Sequence, residues 1–520
     1  MSSPAGNGPT RVRRPALPPV PILLALLAGA VTVYGFEPFG VTGLPIVTLA
    51  LLFGLWSRAT VARDAFWFGF AFGAGLFGAG ISWLYVALET FGGMPAPLAF
   101  IAMAGLVAFL SLYPAIAGWA SARLTEPGSV ARSIVAASAF VLAEWLRGYV
   151  FTGFPWLTAG YSQLPASPLA GFAPIGGVWL VSLAMVSISV LIVHATGAIE
   201  TGRWRVVAAC TAIAAVVAGA GATIRELEWT TASGPPLAVS LVQGNVAQEL
   251  KFDEQFRTRT FEIYQSLAAQ ARGQLIVLPE STFPMFADEL PGDVVEGLAS
   301  IARQRRGELL FGVFVVDAPA PGDDAPRIYN SVVSVGGERT GLYRKRHLVP
   351  FGETIPAKPL VGWVMRNLLS IPIGDQARGP AGQPPFTVEG ERIAVNICYE
   401  DAFGDELREG ARDATLLVNV TNDAWYGRSI AARQHNQIAA MRALELGRPM
   451  LRSTNTGITS AIGHDGRVIA ALPWFTRDIL EVSIAGRRGE TPYLRFGDAP
   501  VLAITCAVLV FALARRVKQR

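Results

Sequence analysis

Hydrophobic and polar positions along this chain fall into two textures. Seven windows, residues 15–36, 38–57, 65–88, 90–122, 148–199, 206–224 and 499–514, contain no Asp, Glu, Lys or Arg. Most of them reach the roughly 20 residues a bilayer-crossing helix needs. A shorter apolar stretch, 133–143, extends through Trp145 if Glu144 sits near the interface, and 148–199 is long enough for one span plus a loop. That loop, GFPWLTAGYSQLPASP, is broken by prolines and cannot span. The pattern predicts eight spans, near 17–35, 41–56, 65–87, 96–121, 131–147, 175–197, 206–223 and 496–514.

From about Pro235 to Gly486 charges reappear, and short β-branched runs alternate with helical patterns. Strands are expected at 237–243, 274–279, 309–316, 330–336, 393–398, 415–421, 450–455 and 458–463, and helices at 254–272, 291–306 and 429–447. Two strand-rich layers covered by helices are the natural packing for such a segment of about 250 residues.

Composition agrees with a membrane protein carrying an attached domain: 52% of positions are hydrophobic and 16% charged. Charges between the spans set the orientation, because positive loops stay on the cytoplasmic side. Arg11, Arg13 and Arg14 precede the first span, Arg58 and Arg63 follow the second, Arg123 and Arg132 the fourth, and Arg203 and Arg205 the sixth. The N-terminus is therefore expected inside, acting as an anchor and not a removable leader. The seventh span would emerge outside near Ile224, and the eighth would return to a basic cytoplasmic end. The formal net charge of +4 comes partly from these loops and gives no sign of nucleic-acid binding.

Of three cysteines, Cys210 and Cys506 fall in expected spans, which leaves Cys398 alone outside the membrane. A lone thiol in an oxidising compartment is a liability unless it is used. It stands in ICYED, directly after an apolar run and beside two acids. Two other runs end in the same way, LPE at Glu280 and YRKRHLVPFGE, which holds Lys345. Taken singly, each residue has an ordinary reading: a capping glutamate, a solvated basic face, a packed thiol. Together they make an acyl-transfer set, in which the carboxylate takes the thiol proton and the ammonium stabilises the oxyanion. His194, His347, His435 and His464 have no metal-ligand spacing, so no metal and no cofactor are expected.

The whole chain resembles the apolipoprotein N-acyltransferase family, within the carbon-nitrogen hydrolase (nitrilase) superfamily. The resemblance rests on FEPFG (36–40), FGAGISWLYVAL (77–88), EWLRGYVFTGFPWL (144–157), LVQGNVAQELKFDE (241–254), LPESTFP (278–284), YRKRHLVPFGETIP (343–356), ICYEDAF (397–403), VNVTNDAWYG (418–427) and RALELGRPMLRSTNTGIT (442–459). It implies an eight-span helical membrane domain and a nitrilase-like αββα sandwich. The organisation would be a cytoplasmic tail at 1–16, seven spans within 17–224, a periplasmic catalytic domain at 225–490, a C-terminal span at 491–514 and a tail at 515–520. The resemblance further implies Glu280 as general base, Lys345 as oxyanion-stabilising lysine and Cys398 as nucleophile, with supporting roles for Glu353, Tyr399 and Glu400. Phe252 stands where the family often has tryptophan, an exchange that keeps a packing role but loses an indole hydrogen bond. The implied reaction moves an acyl chain from a membrane phospholipid onto Cys398, then onto the α-amino group of a diacylglyceryl-cysteine apolipoprotein. The implied setting is the bacterial inner membrane, and a monomer is expected.

Two further features bear on lipid. TIPAKPLVGWVMRNLLSIPIG, 354–374, reads as an amphipathic arm or lid, or else as an interior helix. Glu144 and Arg147 stand three residues apart near the outer end of the fifth span, either ordering the GFPWL loop as a lipid access route or forming an ordinary interfacial pair. Rival readings are a membrane-tethered amidase or nitrilase that uses water as acceptor, and a transporter with an inactive outer domain. Eight spans argue against the first, and an intact Glu280, Lys345 and Cys398 argue against the second.

Overall fold

A computed structural model describes residues 19–248, 254–319, 326–337, 340–354 and 376–519. Phe252 and nearly all of the 354–374 arm lie outside the described residues.

Apolar helices form the first half: α1 (Pro19–Thr32), α2 (Leu44–Arg58), α3 (Ala62–Gly80), α4 (Trp83–Val86), α5 (Ala96–Leu124), α6 (Val130–Arg147), α7 (Ala173–Glu200) and α8 (Trp204–Arg225). Each segment expected to span is helical. Among the described residues, however, only four helices are long and apolar enough to cross a membrane, those within 96–124, 168–200, 204–225 and 499–518. A fifth results if α3 and the segment 83–91, bent by 53° from each other, count as one span. The expected eight are thus not all met, for two physical reasons. At 14 and 15 residues, α1 and α2 rise only about 21 to 23 Å at 1.5 Å per residue, short of a ~30 Å hydrocarbon core. Helix α6 carries Arg132, Glu144 and Arg147.

Helix α8 turns apolar side chains outward, with Val216 70% exposed. Inside the bundle small residues let backbones meet: a Cβ on Gly75 would lie 1.9 Å from the Leu26 carbonyl oxygen of α1.

The second half is a two-sheet sandwich. Its strands are β1 (Thr231–Ala232), β2 (Leu237–Gln243), β3 (Leu275–Val277), β4 (Glu308–Asp317), β5 (Arg327–Val335), β6 (Leu342–Arg344), β7 (Phe386–Val388), β8 (Glu391–Ile397), β9 (Leu416–Thr421), β10 (Met450–Thr454), β11 (Ser460–Ile462), β12 (Val468–Ala471), β13 (Asp478–Ile484) and β14 (Arg487–Arg488). One six-stranded sheet runs β13-β2-β3-β4-β5-β6 and the other β12-β11-β10-β9-β8-β7. Its longer helices are α9 (Glu254–Gln270), α10 (Gly292–Gln304), α11 (Gly404–Ala411) and α12 (Ala431–Leu446); α13 (Pro492–Phe496) then leads into the final apolar helix, α14 (Ala499–Lys518).

Strand β2 shows why the layers form. Val239 and Leu241 pack in the cluster shared with Ile393 and Ile397 of the second sheet, whereas Val242 packs with Tyr264 and Leu267 of α9. Alternate residues thus bury opposite faces, and strands buried on both sides read as unbroken apolar runs. The Ser453 hydroxyl on β10 ties the sheets by donating to the Val242 and Val277 carbonyls at 2.9 and 3.0 Å.

Candidate active site

Glu280 lies in the turn after β3. That turn is pinned over β4, with Leu278 N–H donating to Leu310 O at 2.8 Å and Phe283 N–H to Gly312 O at 3.2 Å. Glycine at 312 makes the approach feasible, since a Cβ there would sit 2.3 Å from the Ser281 nitrogen. Ser281 itself takes a left-handed φ of 45°, a conformation that costs energy and is held by its surroundings.

Lys345 follows β6, and its buried ammonium stands 3.4 Å from Glu280 Oε1 and 2.7 Å from Glu353 Oε1. The Asn330 side-chain amide on β5 donates to the same two carboxylates, at 2.8 and 3.3 Å. Glu353 closes its own turn by accepting Val349 N–H on Oε2 at 2.8 Å. Burial opposes the lysine charge, but Glu353 and Glu280 more than offset this and raise the Lys345 pKa. The two carboxylates thus favour the charged ammonium.

Cys398 ends β8 and opens a single 3-10 turn, Cys398–Ala402, with φ 53°. Burial and the Glu280 charge push its thiol well up, against the pull of Lys345. At rest the thiol keeps its proton beside a carboxylate and an ammonium. The three side chains expected from the sequence thus meet at one edge of the sandwich.

Glu400 joins the two halves of this site. Its Oε1 accepts Arg346 N–H at 2.6 Å and His347 N–H at 3.1 Å, and its Oε2 accepts Ile397 N–H at 2.6 Å. The Tyr343 hydroxyl lies 3.1 and 3.0 Å from the two oxygens. One carboxylate therefore fixes the residue before Cys398 and the two residues after Lys345. Burial raises its pKa to about 7, although the backbone N–H groups of Ile397 and His347 pull it down.

Tyr399 points the other way and docks on the membrane half. Its hydroxyl donates to Gly153 O at 2.9 Å, and its ring lies 6.4 Å from Trp156 at an interplanar angle of 17°. Gly153 and Trp156 belong to the GFPWL loop. Arg147 orders that loop, donating from Nη1 to Phe154 O at 2.5 Å and Trp156 O at 2.6 Å. Glu144 accepts Ala159 N–H at 2.8 Å and the Ser182 hydroxyl at 2.9 Å, while staying 3.9 Å from Arg147. The loop is held by both members of the pair, more than an ordinary interfacial contact would do. On a second side, the Tyr426 ring from the turn after β9 sits 4.6 Å from Trp83 of α4, and Trp425 sits 6.4 Å from Phe91.

Several residues of this site were not foreseen. Asn330 and Asn419 are buried amides inside apolar strands, and such polar breaks are a signal in themselves. Asp401, Asp423, His435 and Arg452 form a buried ionic cluster whose members come from four separate elements, a juxtaposition that no local spacing announces.

Residues 238–493 match the carbon-nitrogen hydrolase family, and residues 28–191 match the apolipoprotein N-acyltransferase N-terminal domain. The sandwich with its Glu280, Lys345 and Cys398 edge is thus a carbon-nitrogen hydrolase domain built onto a body of apolar helices. The apolipoprotein N-acyltransferase of Nitrosomonas europaea is 45% identical over 490 residues, covering 94% of this chain and 96% of that protein. That of Chromobacterium violaceum is 39% identical, covering 98% and 96%. An amidase from Nesterenkonia sp., a solved structure, overlaps 52% of this chain and 95% of its own at 19% identity and a TM-score of 0.36. The chain belongs to the apolipoprotein N-acyltransferase family.

Proposed function

We propose that this enzyme transfers a fatty acyl chain from a membrane phospholipid to the α-amino group of a diacylglyceryl-cysteine apolipoprotein, through a thioester on Cys398. The reading is carried by one observation: Lys345, clamped between Glu280 and Glu353, beside Cys398 at the strand edge that meets the membrane half.

In the first step Glu280 takes the Cys398 proton as Sγ attacks an ester carbonyl, because the resting thiol is neutral and must lose its proton on the way. Lys345 Nζ stabilises the oxyanion. The intermediate collapses, the C–O bond breaks, and Glu280 returns the proton to the departing lysophospholipid oxygen. In the second step the neutral α-amine attacks the thioester and Glu280 takes an N–H proton; the amide forms, the C–S bond breaks, and Glu280 passes that proton to Sγ, which restores the thiol and the carboxylate. Hydrolysis competes at the thioester, so water must be kept out. Burial of Cys398, and of Tyr399 against the Trp156 ring, supports that requirement.

The proposal includes eight membrane-crossing segments, with α1 and α2 completed by their flanking residues and α6 crossing with Arg132, Glu144 and Arg147 buried inside the protein, and an N-terminus in the cytoplasm. The sandwich then faces the periplasm of a bacterial inner membrane, and the chain works as a monomer. The domain limits 1–16, 17–224, 225–490, 491–514 and 515–520 belong to this reading, as do supporting roles for Glu353, Tyr399, Glu400 and Phe252.

The test supplies the purified full chain with phospholipid and either a diacylglyceryl-cysteine peptide or a small soluble amide. Acylated peptide with equimolar lysophospholipid is the expected product. Ammonia from the amide, with no acylated peptide, would refute the proposal.

A further inference from the structure

The ionic cluster around His435 is not used by the chemistry above. The His435 imidazole, on α12, is 1% exposed. Its Nδ1 lies 2.8 Å from Asp423 Oδ1, and its Nε2 lies 3.0 Å from Asp401 Oδ1 and 3.3 Å from the carbonyl oxygen of Cys398. Every one of these partners is an acceptor. A neutral imidazole has one N–H and one lone pair, so either tautomer would point a lone pair at a buried carboxylate. Only the ring protonated on both nitrogens satisfies all three oxygens.

The surroundings balance that charge. Arg452 Nη1 stands 2.5 Å from Asp401 Oδ2, and Nη2 stands 3.8 Å from Asp423 Oδ2, giving two carboxylates against two cations. The Trp156 ring, 5.4 Å away on the membrane side, adds a face that tolerates a cation. Burial and the Arg452 charge disfavour the imidazolium, yet Asp401 and Asp423 prevail and raise its pKa to about 9. Asp423 is in turn held low, since His435 and Arg452 outweigh its burial.

The Cys398 carbonyl also accepts a hydrogen bond from Asn419 Nδ2 at 3.1 Å. This matters because Cys398 holds a left-handed φ of 53° that a side-chain-bearing residue keeps only when its surroundings impose it. We propose that His435 is a positioning residue, a standing imidazolium that grips the Cys398 carbonyl with Asn419 and thereby fixes the turn that aims the thiol between Glu280 and Lys345. The inference rests on Cys398 being the nucleophile.

His435→Gln keeps roughly the length of the side chain but offers one donor end and one acceptor end. Its carbonyl then faces a carboxylate, whichever way the amide turns. Adding Asp423→Asn supplies a donor for that carbonyl and lets the Gln N–H group reach Asp401 and the Cys398 carbonyl again. The experiment follows formation of the acyl adduct on Cys398 by quenched intact-protein mass spectrometry, using the full chain in detergent with phosphatidylethanolamine. H435Q is expected to form the adduct at least tenfold more slowly at saturating lipid, with half-saturation unchanged, and H435Q/D423N is expected to recover most of that loss. An H435Q rate equal to wild type, or a slow H435Q that the second change does not rescue, overturns the inference. If H435Q does not accumulate, the double variant must both accumulate and react, and its failure overturns the inference equally. Absence of any adduct in the wild type is a different outcome, which removes the nucleophile assignment and this inference with it.

Discussion

Replacing Glu400 by glutamine keeps the shape of the side chain and removes one acceptor from a site where every partner donates. Oε1 accepts Arg346 N–H and His347 N–H, Oε2 accepts Ile397 N–H, and only the Tyr343 hydroxyl can turn to accept in its place. Whichever way the amide settles, at least one buried backbone N–H faces another N–H. Leaving a buried donor unpaired costs about 1–3 kcal/mol, and the weakness falls next to Cys398 or next to Lys345. Misplacing a reacting group by about 1 Å can cost about a hundredfold in rate. E400Q should therefore lower kcat for acyl transfer to the diacylglyceryl-cysteine peptide by roughly 10- to 100-fold, with KM for phospholipid little changed. Its melting temperature in detergent should fall as well. The assay is best run at pH 8, above the Glu400 pKa of about 7. A kcat within about twofold of wild type would refute the idea that this carboxylate joins the two halves of the site.

Other substitutions separate charge from packing. K345M should reduce acyl transfer by at least about a hundredfold and destabilise the fold, because Glu280 and Glu353 then share a buried space without a cation; K345M/E353Q should recover stability in a thermal melt but not activity. G312A should lower both melting temperature and kcat, since its Cβ would meet the Ser281 backbone at 2.3 Å and push the Glu280 turn outward. Stability should also depend on pH in a fixed direction. The folded-state pKa of His435 is raised from 6.5 to about 9, so its contribution is complete below about pH 6.5 and is lost as pH climbs through 9. Asp423, shifted down, contributes above about pH 3.8 and loses that contribution as pH falls through its lowered value. Thermal melts between pH 6 and 10.5 should show the alkaline loss in wild type and a flatter profile in H435Q/D423N.

Much of the fold was legible because strands buried on both faces write themselves as apolar runs. Expected 237–243 is β2 without change, and 415–421 and 450–455 differ from β9 and β10 by one residue. Strand β13 leaves little trace in the sequence: Asp478–Ile484 is a sheet edge with only Ile484 fully buried, so its signal is weak. Strands β6 and β7, three residues each, are too short to show a period. In the membrane half, apolar composition located every helix but overstated how many are long enough alone, since α1 and α2 lie against other helices and need not match a bilayer's thickness by themselves.

The site was legible to the same degree and for a related reason. Glu280 and Cys398 each stand where an apolar run stops, which is where a strand releases its chain at the sheet edge, whereas Lys345 follows the short Leu342–Arg344 strand in a basic run. Glu400 and Tyr399 follow Cys398 directly, and the structure gives them opposite duties, one gripping the lysine segment and the other the GFPWL loop. His435 carried no such mark. It lies within a helix among alanines and glutamines, and its significance arises only when turns after β8 and β9 deliver Asp401 and Asp423 to it.

The most direct measurement is the intact mass of the full chain taken from membranes or incubated with phospholipid. A fatty-acyl increment that hydroxylamine removes, present in wild type and missing in Cys398→Ala, is the predicted result. A wild-type mass with no increment while peptide acylation proceeds, or an increment that survives in Cys398→Ala, would contradict the thioester on which the account depends.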